Sequence, residues 1–313
     1  MPKACQTQTV SGRIVITGAG GQLGSALAEQ AARRGREVLA LTSSQWDITD
    51  PGAAERMASS GLKKGDVVVN CAAYTNVDAA ESDEPTAYAV NAAGPEHIAR
   101  ACAHAGAQLI HVSTDYVFSG DFGAAAPRPY EPSDETGPLG VYARSKLAGE
   151  AAVLAALPQA IVVRTAWVYT GATGKDFVAV MRRLAAGNGP VDVVDDQTGS
   201  PTYAADLAAA LLQVAGGGIS GPILHAANEG AISRYQQARA VFEECGADPQ
   251  RVRPVSTAQN PRPAPRPRYS ALASQQSAAR GLTPLRPWRG ALVAALAVTH
   301  SGAVERPLPS TRD

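Results

Sequence analysis

The chain has 313 residues, 45% of them hydrophobic, and its 28 basic and 28 acidic residues give a formal net charge of zero. This hydrophobic content excludes a disordered chain, and the balanced charge offers no general attraction to nucleic acid. The four cysteines stand far apart and form no CxxC pair, so neither a zinc site nor a disulfide framework is indicated. Neither a signal peptide nor a membrane span is expected, and we predict a cytoplasmic protein.

Short apolar runs alternate with Ala-rich segments of helical character from Arg13 onward, a pattern typical of βαβ units. Strands are predicted over Arg13–Thr17, Glu37–Leu41, Asp66–Cys71, Gln108–Val112 and Ala160–Arg164. One helix is expected from Gln22 to near Gly35, a second after the N-cap Asp50, and a third towards Gly106.

These elements predict an α/β fold with a Rossmann-type, doubly wound parallel sheet over residues 12–166. After Trp167 the regularity weakens, and residues 167–299 are expected to form a smaller, interleaved α/β substrate-binding domain, with some segments returning to the sheet. Residues 300–313 are polar and without an apolar period, so we expect a frayed tail.

Three glycines, Gly18, Gly21 and Gly24, follow the first predicted strand and open the first predicted helix. Backbone without side chains can approach a pyrophosphate closely there, and the helix N-terminus offers free N–H groups. A plain tight turn is the alternative, but the position at a strand-to-helix junction favours a dinucleotide site.

The end of the second predicted strand bears on the choice of cofactor. An NAD-selective site usually carries an acid there, whereas residues 41–44 read Leu-Thr-Ser-Ser, with no acid to repel a 2′-phosphate and no arginine to require one. We therefore expect NADPH to be favoured and NADH also accepted. Asp47 and Ile48 could frame the adenine, and Ala72, Ala73 and Tyr74 leave room for the nicotinamide ribose, although helix packing explains the alanines equally well.

Tyr142 and Lys146 stand four residues apart in a helical segment, so both side chains emerge on one face. The ammonium of Lys146 is expected to lower the pKa of the Tyr142 phenol, which would suit proton transfer near neutral pH. Thr114 ends the fourth predicted strand, where its hydroxyl can donate to a substrate carbonyl oxygen. A surface pair on the helix and a turn-capping threonine are the alternatives.

Taken together, these residues resemble the extended short-chain dehydrogenase/reductases, which act largely on nucleotide sugars. Within them, six segments between Gly18 and Thr202 are similar to the dTDP-4-dehydrorhamnose reductase family: GAGGQLG, DVVVNCAAYTNVDAAE, STDYVFSG, VYARSKLAGE, RTAWVY and DQTGSPT. The resemblance implies NAD(P)H-dependent reduction of the C4 ketone of a dTDP-4-dehydro sugar for polysaccharide synthesis. A silent NADP-binding regulatory subunit, or a reductase or epimerase for another nucleotide sugar, remains open.

The same resemblance implies roles for individual residues. The cofactor would be held by Gly21, Gln22, Leu23, Asp47, Ile48, Ala72, Ala73, Tyr74 and Lys146. Thr114, Asp115, Tyr116 and Trp167 would face the sugar, while Tyr142 gives a proton to its C4 oxygen. Trp167 could equally belong to the core.

Three further details follow from the resemblance. Dehydratases of this kind carry Asp-Glu where this chain has Asp115-Tyr116, so elimination lacks its base and reduction is favoured. Ala26 replaces a metal-binding glutamate of some relatives, so no metal and a monomer or weak homodimer are expected. Arg268, in a Pro/Arg-rich stretch, is a candidate for the substrate diphosphate, with a solvated linker as the alternative.

Overall fold

The computed structural model describes residues 12–171 and 174–301. The predicted frayed tail lies outside the described residues except for positions 300 and 301, which end the last helix.

The described residues form six strands in one parallel sheet and eight short strands in pairs. In chain order they are β1 (Ile14–Thr17), β2 (Val38–Leu41), β3 (Val67–Asn70), β4 (Gln108–Thr114), β5 (Ile161–Thr165), β6 (Val168–Tyr169), β7 (Val191–Val194), β8 (Thr198–Gly199), β9 (Thr202–Tyr203), β10 (Ile223–His225), β11 (Asn228–Glu229), β12 (Ile232–Ser233), β13 (Val252–Val255) and β14 (Leu285–Pro287). The main sheet has the order β10-β5-β4-β3-β1-β2, with the switch in direction of winding between β1 and β3.

Eleven α-helices occur within the described ranges. They are α1 (Gln22–Arg33), α2 (Pro51–Arg56), α3 (Val77–Ala80), α4 (Glu84–Tyr88), α5 (Gly94–Ala105), α6 (Val141–Ala156), α7 (Phe177–Ala185), α8 (Ala204–Ala215), α9 (Arg234–Glu244), α10 (Gln275–Ala279) and α11 (Trp288–Ser301). The turns Met57–Gly61 and Ala89–Ala93 are π-helical and continue α2 and α4.

Alternation along β1 shows how the sheet is covered on both faces. Ile14 and Ile16 pack with Leu27 of α1 and Leu211 of α8, whereas Val15 packs on the opposite face with Ile98 of α5. Successive side chains of a strand point to opposite faces, so a fully apolar strand requires helices on both sides. The prediction of a doubly wound parallel α/β sheet is confirmed.

A separate core lies in the later part of the chain. The parallel pair β7 and β13 packs with α7, α9 and α11 around Val241, Phe242 and Leu292. Two later elements return to the main sheet, since β10 pairs with β5 and α8 packs on α1. The division of the chain at residue 166 stays a prediction.

Candidate active site

The glycine turn after β1 is shaped by close backbone contacts. Gly18 has a positive φ of 67°, and a Cβ on Gly24 would lie 2.4 Å from the Gly18 carbonyl oxygen, so the start of α1 approaches the turn more closely than any side chain allows. The N-cap residue Gly21 provides no side-chain cap, and Gly20 to Gln22 are exposed. An exposed, uncapped helix N-terminus fits the pyrophosphate of a dinucleotide.

The loop after β3 is held by two asparagines that the sequence analysis did not single out. Asn70 accepts hydrogen bonds from Thr17 Oγ1 at 2.6 Å and from the Ala72 backbone N–H at 3.1 Å. Asn91 accepts from the Tyr74 N–H at 2.9 Å and donates to Ser145 Oγ at 3.0 Å. The predicted cofactor-lining segment from Ala72 to Tyr74 is thereby fixed to β1 and to α6.

The residues predicted around the adenine are placed differently from one another. Asp47 is exposed, and its carboxylate accepts hydrogen bonds from the N–H and the hydroxyl of Thr49. Ile48 is 5% exposed, and its side chain packs into the core cluster on the α5 face. At the end of β2, Thr42 and Ser44 join their hydroxyls at 2.9 Å. A cofactor would therefore meet hydroxyl groups there and the backbone, rather than the side chain, of Ile48.

Thr114 ends β4 and begins a short 3-10 turn, which aims three consecutive side chains at the crevice. Its hydroxyl accepts from the Tyr116 N–H and donates to Asp115 Oδ1, both at 3.2 Å. Asp115 is buried, and its other carboxylate oxygen accepts from Ser270 Oγ at 2.5 Å. Burial raises the pKa of Asp115 to about 6, although the hydrogen bonds act against that shift.

Tyr142 reaches the same place from the first turn of α6. Its phenol lies close enough to Thr114 for that hydroxyl to act on its pKa, and its ring meets that of Tyr116 edge to face with centroids 6.0 Å apart. The structure therefore brings together Thr114, Asp115, Tyr116 and Tyr142, all predicted from the sequence.

The expected effect of Lys146 on the pKa of Tyr142 is wrong for this structure. Burial raises the pKa of the Tyr142 phenol, and the Thr114 hydroxyl only opposes this rise. Lys146 is 2% exposed, and its Nζ donates to the Val112 carbonyl at 2.7 Å. Burial lowers the pKa of Lys146 to about 8, with Glu150 acting in the opposite direction. Desolvation therefore outweighs charge at both groups.

α6 is fastened to the rest of the fold at two points. At its first turn, Glu81 Oε1 accepts from the Val141 N–H at 2.8 Å, and a Cβ on Gly140 would lie 2.6 Å from that oxygen. Further along, Gly149 packs so closely that a Cβ would lie 2.0 Å from the Asn91 carbonyl oxygen. Glu81, Gly140 and Gly149 are not among the site residues predicted from the sequence.

Behind the site, Glu150 of α6 forms a buried ion pair with Arg164 of β5. The two side chains are 3% exposed, their closest atoms are 2.7 Å apart, and Ser113 Oγ also donates to Glu150 Oε1 at 2.5 Å. Removing one partner would leave a buried charge without compensation. The pair therefore fixes the middle of α6 against the sheet.

Trp167 sits on the later side of the crevice in a left-handed conformation, with φ of 48°. A Cβ on Gly199 would lie 2.5 Å from its ring, so the TGSPT segment makes room for it. One face of the indole is covered by the Arg234 guanidinium, whose carbon lies 3.5 Å from the ring centroid. Sequence reasoning missed Arg234, which belongs to no motif that it used.

Arg268, predicted to contact the substrate diphosphate, has an exposed side chain. Its charge contributes to lowering the pKa of Asp196. Arg266, two residues earlier, is the one that lies against Tyr116, where it is also paired with Asp78. The Pro/Arg-rich stretch thus reaches the crevice through a different arginine. No cluster of three or more metal-binding side chains occurs within the described residues.

A parallel sheet with a glycine turn at its first strand, and a Tyr-Lys pair one helical turn apart beside Thr114, defines a Rossmann-type oxidoreductase of the extended short-chain dehydrogenase/reductase class. The model of the family described as RmlD substrate binding domain matches residues 12–301. A dTDP-4-dehydrorhamnose reductase of Mycobacterium tuberculosis is 74% identical over 304 residues, which cover 97% of this chain and 99% of that relative.

Two solved structures are similar over nearly the whole molecule. A dTDP-4-dehydrorhamnose reductase from Clostridium acetobutylicum is 35% identical, and one from Bacillus anthracis, in complex with NADP, is 33% identical. Each covers 92% of this chain and 99% of its own, with a TM-score of 0.84. The chain belongs to the RmlD substrate binding domain family, to which the resemblance in its sequence pointed.

Proposed function

We propose that this protein reduces the C4 ketone of dTDP-4-dehydro-L-rhamnose to dTDP-L-rhamnose, with NADPH as the reductant. The observation that carries the proposal is the convergence of Thr114, Tyr116 and Tyr142 at the carboxyl end of β4. The 74% identity to a reductase of that name over nearly the whole chain supports the same substrate.

The protein's own groups would act on the ketone oxygen. When bound, NADPH supplies the hydride. The raised pKa of Tyr142 keeps its phenol protonated near neutral pH, which is the form that a proton donor needs. Thr114 can donate a second hydrogen bond to the oxygen as negative charge develops on it. Lys146, whose Nζ donates to the Val112 carbonyl, would help to hold the nicotinamide ribose.

The residues of the glycine turn fit the cofactor diphosphate, and Ala72 to Tyr74 fit the nicotinamide ribose. Gly18, Gly21 and Gly24 leave backbone accessible, with Gln22 and Leu23 opening α1. Gln22 also donates from Nε2 to Asp176 Oδ2 at 3.1 Å, which connects this turn to the later half of the chain. A displacement of the later half would therefore act on the glycine turn through this hydrogen bond.

The experiment is to supply purified protein with dTDP-4-dehydro-L-rhamnose and to follow NADPH absorbance together with formation of dTDP-L-rhamnose. One NADPH should be oxidised for each sugar reduced, and GDP- and UDP-linked ketosugars should react much more slowly. An absence of sugar reduction, with intact NADPH binding, would reject the proposal.

Cofactor preference provides a second measurement. The hydroxyl-lined end of β2 contains no carboxylate to repel the 2′-phosphate, so kcat/KM should be higher with NADPH, with NADH still used. A kcat/KM for NADH more than about tenfold above that for NADPH would contradict this reading of the site.

No described helix is long and apolar enough to cross a membrane. We propose that the protein works in the cytoplasm, where nucleotide-activated sugars are made, as a monomer or weak homodimer without a bridging metal. Sedimentation with and without Mg²⁺ tests the last point, since a tight, Mg²⁺-dependent dimer would contradict it.

A further inference from the structure

Arg234 is held at the beginning of α9 by a well-defined cap. Ser233 Oγ accepts from the Gln236 N–H at 3.1 Å, and the Ser233 N–H donates to Gln236 Oε1 at 2.9 Å. The Arg234 N–H donates to the Gln197 carbonyl at 3.1 Å. This reciprocal cap fixes the first helical residue, so the direction of the Arg234 side chain is set by the backbone.

Aromatic rings hold the plane of the Arg234 guanidinium. Its central carbon lies 3.5 Å from the ring centroid of Trp167 and 4.9 Å from that of Phe177. Nη1 donates to Gln237 Oε1 at 3.2 Å, and Gln237 is itself buried. Stacking on aromatic faces leaves the edge of a guanidinium free for planar, bidentate contacts.

The positive charge of Arg234 has no ion-pair partner in the part of the chain that the structure describes. Among the described residues, no carboxylate comes within 4.0 Å of its nitrogens. The nearby acid Asp115 is instead engaged by Ser270 and Thr114. Arg234 is half-buried, and keeping an unpaired charge away from water is unfavourable unless a partner arrives.

A second cation converges on the same place. Arg234 and Arg266 both lie against Tyr116, and their charges lower the pKa of its phenol, which burial raises. The two guanidinium groups also repel each other, since the charge of Arg266 adds to burial in lowering the pKa of Arg234. Both arginines therefore lie near Tyr142, separated from it by the ring of Tyr116, which meets the Tyr142 ring edge to face.

We propose that Arg234, with Arg266 beside it, binds the diphosphate of the nucleotide-sugar substrate and so places the sugar ketone at Tyr142. Trp167 then supports the arginine and does not stack on the sugar through the face that Arg234 covers. The inference rests on the proposed function for the identity of the substrate, and it deepens that function by naming the anion site. An arginine that only braces Trp167 is the competing explanation.

Calorimetric titration of dTDP and of thymidine separates the two explanations without requiring turnover. In Arg234→Gln the dissociation constant of dTDP should rise at least about tenfold, or about 1.4 kcal/mol, while that of thymidine stays unchanged. Arg253→Gln is the matched control, because it removes the same charge from an exposed position on β13 and should leave both constants unchanged.

The proposal is overturned if Arg234→Gln binds dTDP normally, or if it loses affinity for thymidine and dTDP by the same factor. Affinity for NADPH checks that the variant is folded. If Arg234→Gln fails that check, Arg234→Lys decides, since it keeps the charge but loses the planar contact and should weaken dTDP alone. Selective dTDP binding without turnover of the ketosugar would reject the proposed function and leave the anion site standing.

Discussion

The surroundings of Tyr142 favour the protonated form of its phenol. The structure corrects the expectation that its pKa is lowered, because burial of the ring raises it and Lys146 points to the Val112 carbonyl. A protonated phenol is nonetheless what reduction of a ketone requires at the outset. The sequence pattern predicts which residue types meet at the site, whereas the balance of desolvation against charge cannot be derived from it.

Tyr142→Phe removes the proton donor and leaves the ring that packs against Tyr116. The rate of ketosugar reduction should fall at least about a hundredfold, since general acid catalysis contributes this much. Affinity for NADPH should change little, because the glycine turn is untouched. Single-turnover oxidation of NADPH measures the first quantity and fluorescence titration the second. Retention of the full rate would exclude Tyr142 as the donor.

Arg234 and Arg268 show what the sequence leaves open for individual residues. Arg268 was proposed from a resemblance in the Pro/Arg-rich stretch; its side chain is exposed, and Arg266 lies against Tyr116. Arg234 belongs to no recognisable sequence motif, and only the packing of α9 beside Trp167 brings it to the crevice. Contacts between segments that are distant in the chain leave no periodic signal in either of them.

Among the elements, α6 carries the proposed proton donor. Its first turn carries Tyr142, its N-cap Gly140 contributes no side-chain cap, and Glu81 supplies the acceptor from another segment. A helix N-terminus without a cap loses about 1 kcal/mol and frays. Glu81 is thus a positioning residue for Tyr142.

Glu81→Ala should lower kcat for the ketosugar severalfold and reduce stability by about 1 kcal/mol, because the Val141 N–H loses its acceptor. Glu81→Gln keeps an acceptor oxygen and should restore most of the rate. KM for NADPH should remain unchanged in both variants. Steady-state kinetics and urea unfolding measure these effects.

Glu84→Ala is a suitable control, since Glu84 is exposed on α4 and makes none of these contacts with α6. It should match the parent enzyme in both measurements. If Glu81→Ala lost stability but kept its kcat, the helix would need no cap to place Tyr142, and the positioning role would be refuted.

The strands and helices of the sheet could be predicted almost to the residue, because apolar runs with flanking turn residues are local signals. β1, β2, β3 and β5 lie within one residue of their predicted limits at each end, and β4 continues two residues further, to Thr114. Gly106 ends α5 in the left-handed conformation that its position indicated. The short strand pairs of the later half were not predicted, since two-residue strands carry no periodicity.

Two histidines, His111 and His225, are buried in the interior of the molecule. His111 is 0% and His225 2% exposed. Burial lowers the pKa of His225 from 6.5 to about 3, and it lowers that of His111 well below its usual value. Each therefore contributes stability that is present above pH 6.5 and is lost as the pH falls towards its folded-state pKa.

Between pH 7 and pH 5 the free energy of unfolding should decrease by about 2 kcal/mol for each of these histidines. The reason is that each imidazole binds a proton in the unfolded chain but stays neutral in the folded protein. His225→Phe should remove its share of this acid sensitivity, whatever it does to stability at neutral pH. The ring nitrogens of His225 have no hydrogen-bond partner, and the ring packs edge to face on Phe118.

Urea unfolding at both pH values supplies the comparison. His104→Asn, at an exposed position near the end of α5, should retain the dependence of the unmodified protein. An equal loss of stability on acidification in His225→Phe and in the unmodified protein would mean that His225 takes up no proton on unfolding.

The close approach at Gly149 governs how this architecture can change. The position of α6, and therefore of the Tyr142 phenol, depends on the absence of a Cβ at Gly149, two helical turns after Tyr142. Directed evolution towards a new sugar can vary residues that shape the sugar pocket, but Gly149 has to be retained. Substrate selectivity can therefore change on the ligand side of α6, whereas the Gly149 side tolerates no larger residue.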